Sequence, residues 1–182
     1  MGHDDLGELW KFSSSVERLC IGSNFCSNYG GMMSKIKGLA VASGGGHWQQ
    51  LMLLSPAFNA YEVVYVSTSE RFVDIKCYKD LRIINDANRH DIFGVLKCIF
   101  QCIVLIWKEK PDFIISTGAL PGLICIAVGR LCRANTLWID SLANAERPSM
   151  CGRVAYRLVD HWFTQWEHLA SPGLGEFEGA LL

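Results

Sequence analysis

The sequence contains no apolar run long enough to cross a lipid bilayer. Its longest run, residues 92–107, is interrupted by Lys97 and falls short of the roughly 20 apolar residues that a transmembrane helix requires. Residues 1–17 also lack the basic region and apolar stretch of a secretory signal, because acidic residues recur throughout them. We therefore predict neither a membrane span nor secretion.

An excess of charge of one sign is also missing. Lys and Arg together number 17, Asp and Glu number 18, and the formal net charge at pH 7 is -1. A protein that binds nucleic acid needs a broad basic field to neutralise the phosphodiester backbone, and the charges here are interspersed. We therefore expect no nucleic-acid partner.

The cysteines include no Cys-x-x-Cys pair. Cys98 and Cys102 lie one helical turn apart, but no nearby histidine completes a zinc site. Most cysteines fall within apolar runs, which is typical of buried thiols in a reducing compartment. We predict free, buried thiols and no metal site. The eight cysteines are Cys20, Cys26, Cys77, Cys98, Cys102, Cys125, Cys132 and Cys151.

What the sequence does contain, from residue 36 onward, is an alternation of short β-rich runs with longer helical ones. This pattern predicts an α/β fold, a Rossmann-like doubly wound parallel sheet covered by helices. The composition, 50% hydrophobic, suits one domain over residues 36–182 after an irregular extension, residues 1–35. Predicted strands are 38–42, 62–67, 81–84, 112–116, 136–139 and 161–165. Predicted helices are 48–54, 92–108, 121–132 and 149–159.

A glycine-rich turn, Ser43-Gly44-Gly45-Gly46-His47, joins the first predicted strand to the first predicted helix. Glycines let backbone N–H groups approach an anion, and the helix N-terminus adds the positive end of its dipole. A phosphate is therefore the expected ligand, with His47 as a hydrogen-bond donor or a base. The alternative is an ordinary tight turn. Gln49 stands where a dinucleotide-binding turn has its third glycine, and no P-loop lysine follows.

Three loops that follow predicted strands together resemble a known family. They are Ser43-Gly44-Gly45-Gly46-His47, then Ser116-Thr117-Gly118-Ala119-Leu120-Pro121-Gly122, then Asp140-Ser141-Leu142-Ala143-Asn144 with Ser149-Met150-Cys151-Gly152-Arg153 after it. In this order they look like PssD-type exopolysaccharide glycosyltransferases, which are similar to the membrane-bound subunit of the dolichol-linked UDP-N-acetylglucosamine transferase. They resemble the N-terminal domain of MurG more distantly. The resemblance covers residue 35 to about residue 182.

The resemblance implies one N-terminal-type half of an inverting GT-B glycosyltransferase. The donor half would be a separate, PssE-like donor-binding subunit that binds the UDP-sugar, which is a co-substrate, and no cofactor is implied. The acceptor would be a polyprenyl-diphosphate-linked saccharide in polysaccharide biosynthesis, on the cytoplasmic face of the membrane. Two alternatives remain: a non-catalytic membrane recruiter and scaffold for the partner, and a nucleotide-binding oxidoreductase.

The resemblance also implies the site residues. The catalytic candidates are His47 and Asp140, although Asp140 stands where such proteins commonly have Glu, and it could instead be a cap or turn acid. Independently of the resemblance, Arg147 or Arg153, but not both, could hold the acceptor diphosphate through two parallel hydrogen bonds, and the alternative is an ordinary surface arginine. The diphosphate-binding candidates are Ser43, Gly44, Gly45, Gly46, Thr117, Gly118, Ser141 and Arg147.

Two further surfaces are predicted to make contacts. The helix at 92–108 is apolar on more than one side, so Phe93, Phe100, Ile103 or Trp107 could meet lipid or the partner in peripheral contact. The alternative is an ordinary core helix. Residues 172–182 are expected to dock the partner, and the alternative is a frayed tail.

Overall fold

A computed structural model describes residues 14–16, 35–71, 80–87, 91–170 and 175–181. Within them, six parallel strands form one sheet in the order β3-β2-β1-β4-β5-β6. This order is that of a dinucleotide-type doubly wound sheet, and it confirms the predicted fold class. The strands are β1 (Lys37–Ala42), β2 (Glu62–Ser67), β3 (Leu81–Ile83), β4 (Phe113–Ser116), β5 (Asn135–Ile139) and β6 (His161–Phe163).

Four α-helices connect these strands in the described residues. Asp91 begins the longest helix, because its side chain accepts a hydrogen bond from Gly94 N, and Lys110 ends it in the left-handed conformation before Pro111. The helices are α1 (Gly46–Leu53), α2 (Ile92–Glu109), α3 (Ala119–Leu131) and α4 (Met150–Ala155), with short 3₁₀ turns at Ser55–Phe58 and Glu167–Leu169.

Helices α1 and α3 begin two residues earlier than predicted, whereas β6 and α4 end earlier than predicted. β6 ends at Phe163, two residues early, because the Thr164 hydroxyl accepts a hydrogen bond from Trp166 N and turns the chain. α4 ends at Ala155, four residues early, and the chain continues in turns in which Leu158 N bonds to Ala155 O. Side-chain and local backbone bonding thus stops both elements before their apolar pattern ends.

The helices cover both faces of the sheet. Successive residues of β1 point to opposite faces, so Leu39 and Val41 pack with α2, α3 and α4, whereas Ala40 and Ala42 pack with α1. All four are fully buried. This double coverage explains why the strands are almost continuously apolar.

The two ends of the chain contribute to the α1 side of the core. Residues 14–16 form a helical turn in which Val16 is buried, and the rest of the predicted 1–35 extension lies outside the described residues. Glu176 forms a parallel bridge with Phe163, and Leu181 is buried in the same core. The described part of the predicted docking segment, 175–181, therefore packs against its own domain.

The prediction for the cysteines holds for three of them. Cys98, Cys102 and Cys125 are buried between α2 and α3. The hydrogen bond with Cys102 raises the pKa of the Cys98 thiol, the hydrogen bond with Cys125 raises that of the Cys102 thiol, and burial adds to both. Cys132 was wrongly predicted to be buried, because it follows the end of α3 and is exposed. Cys151 is half-buried, and burial raises the pKa of its thiol. Cys20, Cys26 and Cys77 lie outside the described residues.

Candidate functional site

The sheet order places a crevice at the carboxyl ends of β1 and β4. These strands are neighbours, yet the chain leaves β1 toward β2 and leaves β4 toward β5, so the loops that follow them diverge. Ligands of open α/β sheets bind at such a switch point. The loops at this point are the glycine turn and the short segment that contains Thr117 and Gly118.

The glycine turn leaves open space at the start of α1. Gly45 is the N-cap residue with φ 85°, a conformation that favours glycine, and no side chain caps the helix. A Cβ atom built on Gly45 or Gly46 would meet nothing within 4 Å. Gly44 N donates to Thr68 Oγ1 over 3.2 Å, which fixes the turn from the neighbouring strand's loop. The first amides of α1 are therefore accessible to an anion.

His47 joins the two loops of the crevice. Its Nδ1 lies 2.9 Å from Thr117 O, and the Thr117 hydroxyl donates back to His47 O over 2.7 Å. A carbonyl oxygen can only accept, so Nδ1 carries the proton. Nε2 has no hydrogen-bond partner in the part of the chain that the structure describes. In the neutral ring Nε2 is therefore an available base, and in the imidazolium it is an available donor.

Gly118 has to be a glycine beside this histidine. Its φ of 139° is rarely adopted by other residues, and a Cβ atom there would collide with the imidazole ring of His47. The ring therefore lies directly against the backbone at the start of α3. This close approach keeps the two crevice loops in contact.

Asp140, which follows β5, has its hydrogen-bonding capacity filled. Oδ1 accepts from Ser149 Oγ over 2.7 Å and from Trp138 Nε1 over 3.2 Å, while Oδ2 accepts from Ser149 N over 3.0 Å and Asn144 Nδ2 over 3.3 Å. Only 3% of the residue is exposed. The carboxylate thus holds the 140–149 loop together, and Ser149 in turn caps α4 through Gly152 N. This geometry favours the turn-acid alternative for Asp140.

A buried set of amides connects α1 to the β5 and β6 loops. Gln50 Nε2 donates to Ser141 Oγ over 3.1 Å, and Gln50 Oε1 accepts from Gln165 Nε2 over 3.0 Å. Neither glutamine was among the predicted site residues. One feature of the sequence indicated this contact. A glutamine lies three residues after His47, between Trp48 and Leu51, on the inward-facing side of the helix.

Most of the predicted site residues form two linked groups. The first group is the glycine turn with His47, Thr117 and Gly118, which are held by the hydrogen bonds described above. The second group is Asp140 and Ser141, which Gln50 connects to α1 and so to the first group. Arg147 and Arg153 are exposed, and neither side chain has a hydrogen bond or ion pair in the described residues. Ser43 is half-buried beside the glycines.

Helix α2 presents an apolar stripe to the outside. The exposed fractions of Phe93, Phe100 and Trp107 are 85%, 67% and 77%. Lys97 and Lys108 are exposed on the same helix, and the only acidic residue within α2, Glu109, is buried. The exposed apolar residues of α2 are Ile92, Phe93, Leu96, Phe100, Ile103, Val104 and Trp107. Across the described residues, no helix combines the length and apolarity needed to cross a membrane.

Comparison with known proteins gives a family and a fold. The family model described as "Oligosaccharide biosynthesis protein Alg14 like" matches residues 55–174. No curated protein matches the chain.

Among solved structures, MurG from Acinetobacter baumannii is similar with a TM-score of 0.62 and 13% identity over 78% of this chain and 45% of that one. UDP-N-acetylglucosamine 2-epimerase from Rickettsia bellii is similar with a TM-score of 0.61 and 16% identity over 81% of this chain and 46% of that one. The chain thus spans less than half the length of these structures. At this identity the similarity shows the fold alone.

Proposed function

Because the chain belongs to the family of Alg14-like oligosaccharide biosynthesis proteins, we propose that it is the acceptor-binding subunit of a glycosyltransferase. The acceptor is a polyprenyl-diphosphate-linked saccharide of polysaccharide biosynthesis. The donor is a UDP-sugar, bound mainly by a separate PssE-like subunit that completes the two-domain GT-B enzyme. The similarity to about half of MurG supports this division, since a complete enzyme of that architecture has two such domains.

The observation that carries the proposal is the uncapped, open start of α1 in the crevice. The positive ends of two helix dipoles, those of α1 and α3, point to this crevice, and both helices are preceded by a glycine with positive φ. Such N-termini stabilise phosphate groups through free backbone amides and the dipole. The diphosphate of the acceptor therefore binds across the glycine turn and Gly118, with Arg147 available to it from the 140–149 loop.

Of the two candidate bases, the geometry supports His47. Nε2 takes the proton of an acceptor hydroxyl while that oxygen forms a bond to the anomeric carbon of the donor. The bond from the anomeric carbon to the diphosphate breaks on the opposite side, its electron pair leaves with UDP, and the configuration inverts. The Thr117 carbonyl holds the other ring nitrogen and keeps Nε2 directed away from it. Asp140 contributes by fixing the loop that carries Ser141.

The experiment introduces a negative charge at the glycine turn. Replacing Gly46 by Asp adds an acid in the first turn of α1, which stabilises a helix by about 0.3–1 kcal/mol, and a Cβ atom at this position meets nothing within 4 Å. The same carboxylate repels the diphosphate. We expect Gly46→Asp to leave the melting temperature unchanged or higher and to lower affinity for a short-chain polyprenyl diphosphate at least tenfold in calorimetry.

Gly46→Asn is the matched control, since it has the same shape without the charge. It should retain more affinity than Gly46→Asp. Equal binding by wild type and Gly46→Asp would remove the diphosphate from this turn, and the proposal would fail with it.

The apolar stripe of α2 supports peripheral attachment to the cytoplasmic face of the membrane. Its aromatic residues suit the interfacial region, and the exposed charges on the helix are lysines, which suit anionic head groups. We expect Phe93→Ser with Trp107→Ser to abolish flotation with vesicles that contain anionic lipid. The matched control is Ile83→Ser, an exposed apolar residue of the edge strand β3. Equal flotation by the double variant would rule out this surface.

A further inference from the structure

The hydroxyl of Ser141 lies at the end of a chain of buried hydrogen bonds. The chain starts at Leu181 N, which donates to Gln165 Oε1 over 3.2 Å. Gln165 Nε2 then donates to both Asp140 O and Gln50 Oε1, and Gln50 Nε2 donates to Ser141 Oγ. None of these residues is more than 9% exposed. Water therefore does not compete for these bonds.

The direction of every bond in this chain is fixed. A backbone N–H can only donate and a backbone carbonyl can only accept, so Leu181 N and Asp140 O allow one orientation of the Gln165 amide. That orientation presents an NH₂ group to Gln50, which must therefore offer its oxygen to Gln165. Leu142 N also donates to this oxygen over 3.3 Å, which excludes the flipped amide. Gln50 is left with its NH₂ group facing Ser141.

The consequence is that the Ser141 oxygen acts as an acceptor within the protein. It accepts from Gln50 Nε2 and from Ala143 N, which lies 3.4 Å away, and a hydroxyl oxygen has two lone pairs. Its proton has no acceptor among the residues that the structure describes. A ligand atom that bonds to Ser141 must therefore be an acceptor, and a hydroxyl or amine hydrogen finds no lone pair there.

We propose that Ser141 is a one-way hydrogen-bond donor to a phosphoryl oxygen of the acceptor, and that Gln50 and Gln165 are the residues that position it. The inference rests on the proposed function for the identity of the ligand, and the amide chain supplies the selectivity. A phosphoryl oxygen is a charged acceptor with no hydrogen at neutral pH, so it matches this donor. The saccharide hydroxyls, which need donors and acceptors in equal measure, match it less well.

The first measurement is the affinity for inorganic pyrophosphate and for a short-chain polyprenyl diphosphate, by calorimetry. Ser141→Ala is expected to lower both affinities about 10- to 100-fold, the range of a hydrogen bond to a charged group. Ser55→Ala is the control, because Ser55 follows α1 at the opposite end from the glycine turn. It should bind both ligands as the wild type does.

The second measurement separates positioning from simple support of the fold. Gln165→Met keeps the length of the side chain but removes its three hydrogen bonds, and it should lower pyrophosphate affinity less than Ser141→Ala does. In the Ser141→Ala background Gln165→Met should cause little further loss, because the donor that it positions is already gone. Gln50→Met should behave in the same way and serves if the Gln165 variant fails to fold.

The outcomes distinguish the two proposals. Wild-type binding that Ser141→Ala leaves unchanged, or equal effects of the glutamine variants in both backgrounds, would overturn the inference and leave the proposed function standing. A wild-type chain that binds neither pyrophosphate nor a polyprenyl diphosphate would overturn the proposed function and the inference with it.

Discussion

The two ends of the parallel sheet use their polar groups differently. At the amino ends of the strands, Lys37 pairs with Glu109 over 2.7 Å and lies 3.9 Å from Glu62, and Arg82 lies 3.5 Å from Glu109. At the carboxyl ends, by contrast, the start of α1 is uncapped and His47 Nε2 has no partner among the described residues.

This difference separates residues that hold the fold from residues that are available to a ligand. Buried polar groups are nearly always hydrogen-bonded. An accessible donor or acceptor in a crevice that has no partner in the protein therefore indicates what the crevice binds. Asp140 is an exception to this division, because it lies at the carboxyl ends of the strands but both of its carboxylate oxygens are hydrogen-bonded. The carboxyl ends can therefore be tested through His47 and Asp140, and the amino ends through Glu109.

The largest expected effect concerns the unused nitrogen of His47. We expect His47→Ala to lower kcat of the reconstituted enzyme about 10²- to 10⁴-fold, the usual contribution of a general base. His47→Gln is the matched variant, because its amide can still donate to Thr117 O but supplies no base. Both variants should be inactive in steady-state assays while they still bind the acceptor.

Recovery of turnover by His47→Gln would show that turnover requires the hydrogen bond between the two crevice loops and does not require a base at this position. Full turnover in His47→Ala, with the acceptor still bound, would favour the non-catalytic scaffold, with the base on the partner subunit.

The next effect concerns Asp140, and it is expected on stability. In Asp140→Asn an NH₂ group must face either the donors at Oδ1 or those at Oδ2, so two hydrogen bonds are lost. We expect the free energy of unfolding in urea to fall by about 1–3 kcal/mol. Asp91→Asn is the control, because Asn serves an exposed N-cap as well as Asp does. Loss of turnover at unchanged stability would instead make Asp140 a catalytic group.

The elements of this fold could be predicted from the sequence more completely than its site. Strand β2 was predicted with its observed bounds, because turns flank a run of apolar and β-branched residues. The glycine turn was also recognisable, since its residues are consecutive. The bonding of Asp140 and the contact between Gln50 and Gln165, 115 positions apart in the sequence, depend on how distant loops meet. No local pattern encodes that meeting.

The smallest expected effect concerns Glu109 at the amino end. Its Oε1 is buried without a hydrogen bond in the described residues, although Arg82 lies nearby. Glu109 therefore tests whether an acceptor without a hydrogen bond is enough, by itself, to indicate a ligand site. The hydrogen bond from Lys37 holds the pKa of Glu109 below its ordinary value of 4.5. A carboxyl group with a lowered pKa in the folded state stabilises the protein above its unfolded-state pKa, and this stabilisation is lost as the pH falls through the folded-state value.

We therefore expect the wild type to lose stability in urea as the pH falls below about 4.5, and Glu109→Gln to show a shallower decline over the same range. Glu62→Gln is the control, since its side chain is 53% exposed and its ion pair is long, so its removal should change little. Pyrophosphate affinity at pH 7 should be the same in all three proteins, because Glu109 lies at the opposite end of the sheet from the crevice. A changed pyrophosphate affinity in Glu109→Gln would contradict this expectation. It would mean that a buried polar atom without a hydrogen bond affects ligand binding at either end of the sheet, so that accessibility in the crevice would no longer distinguish the two ends.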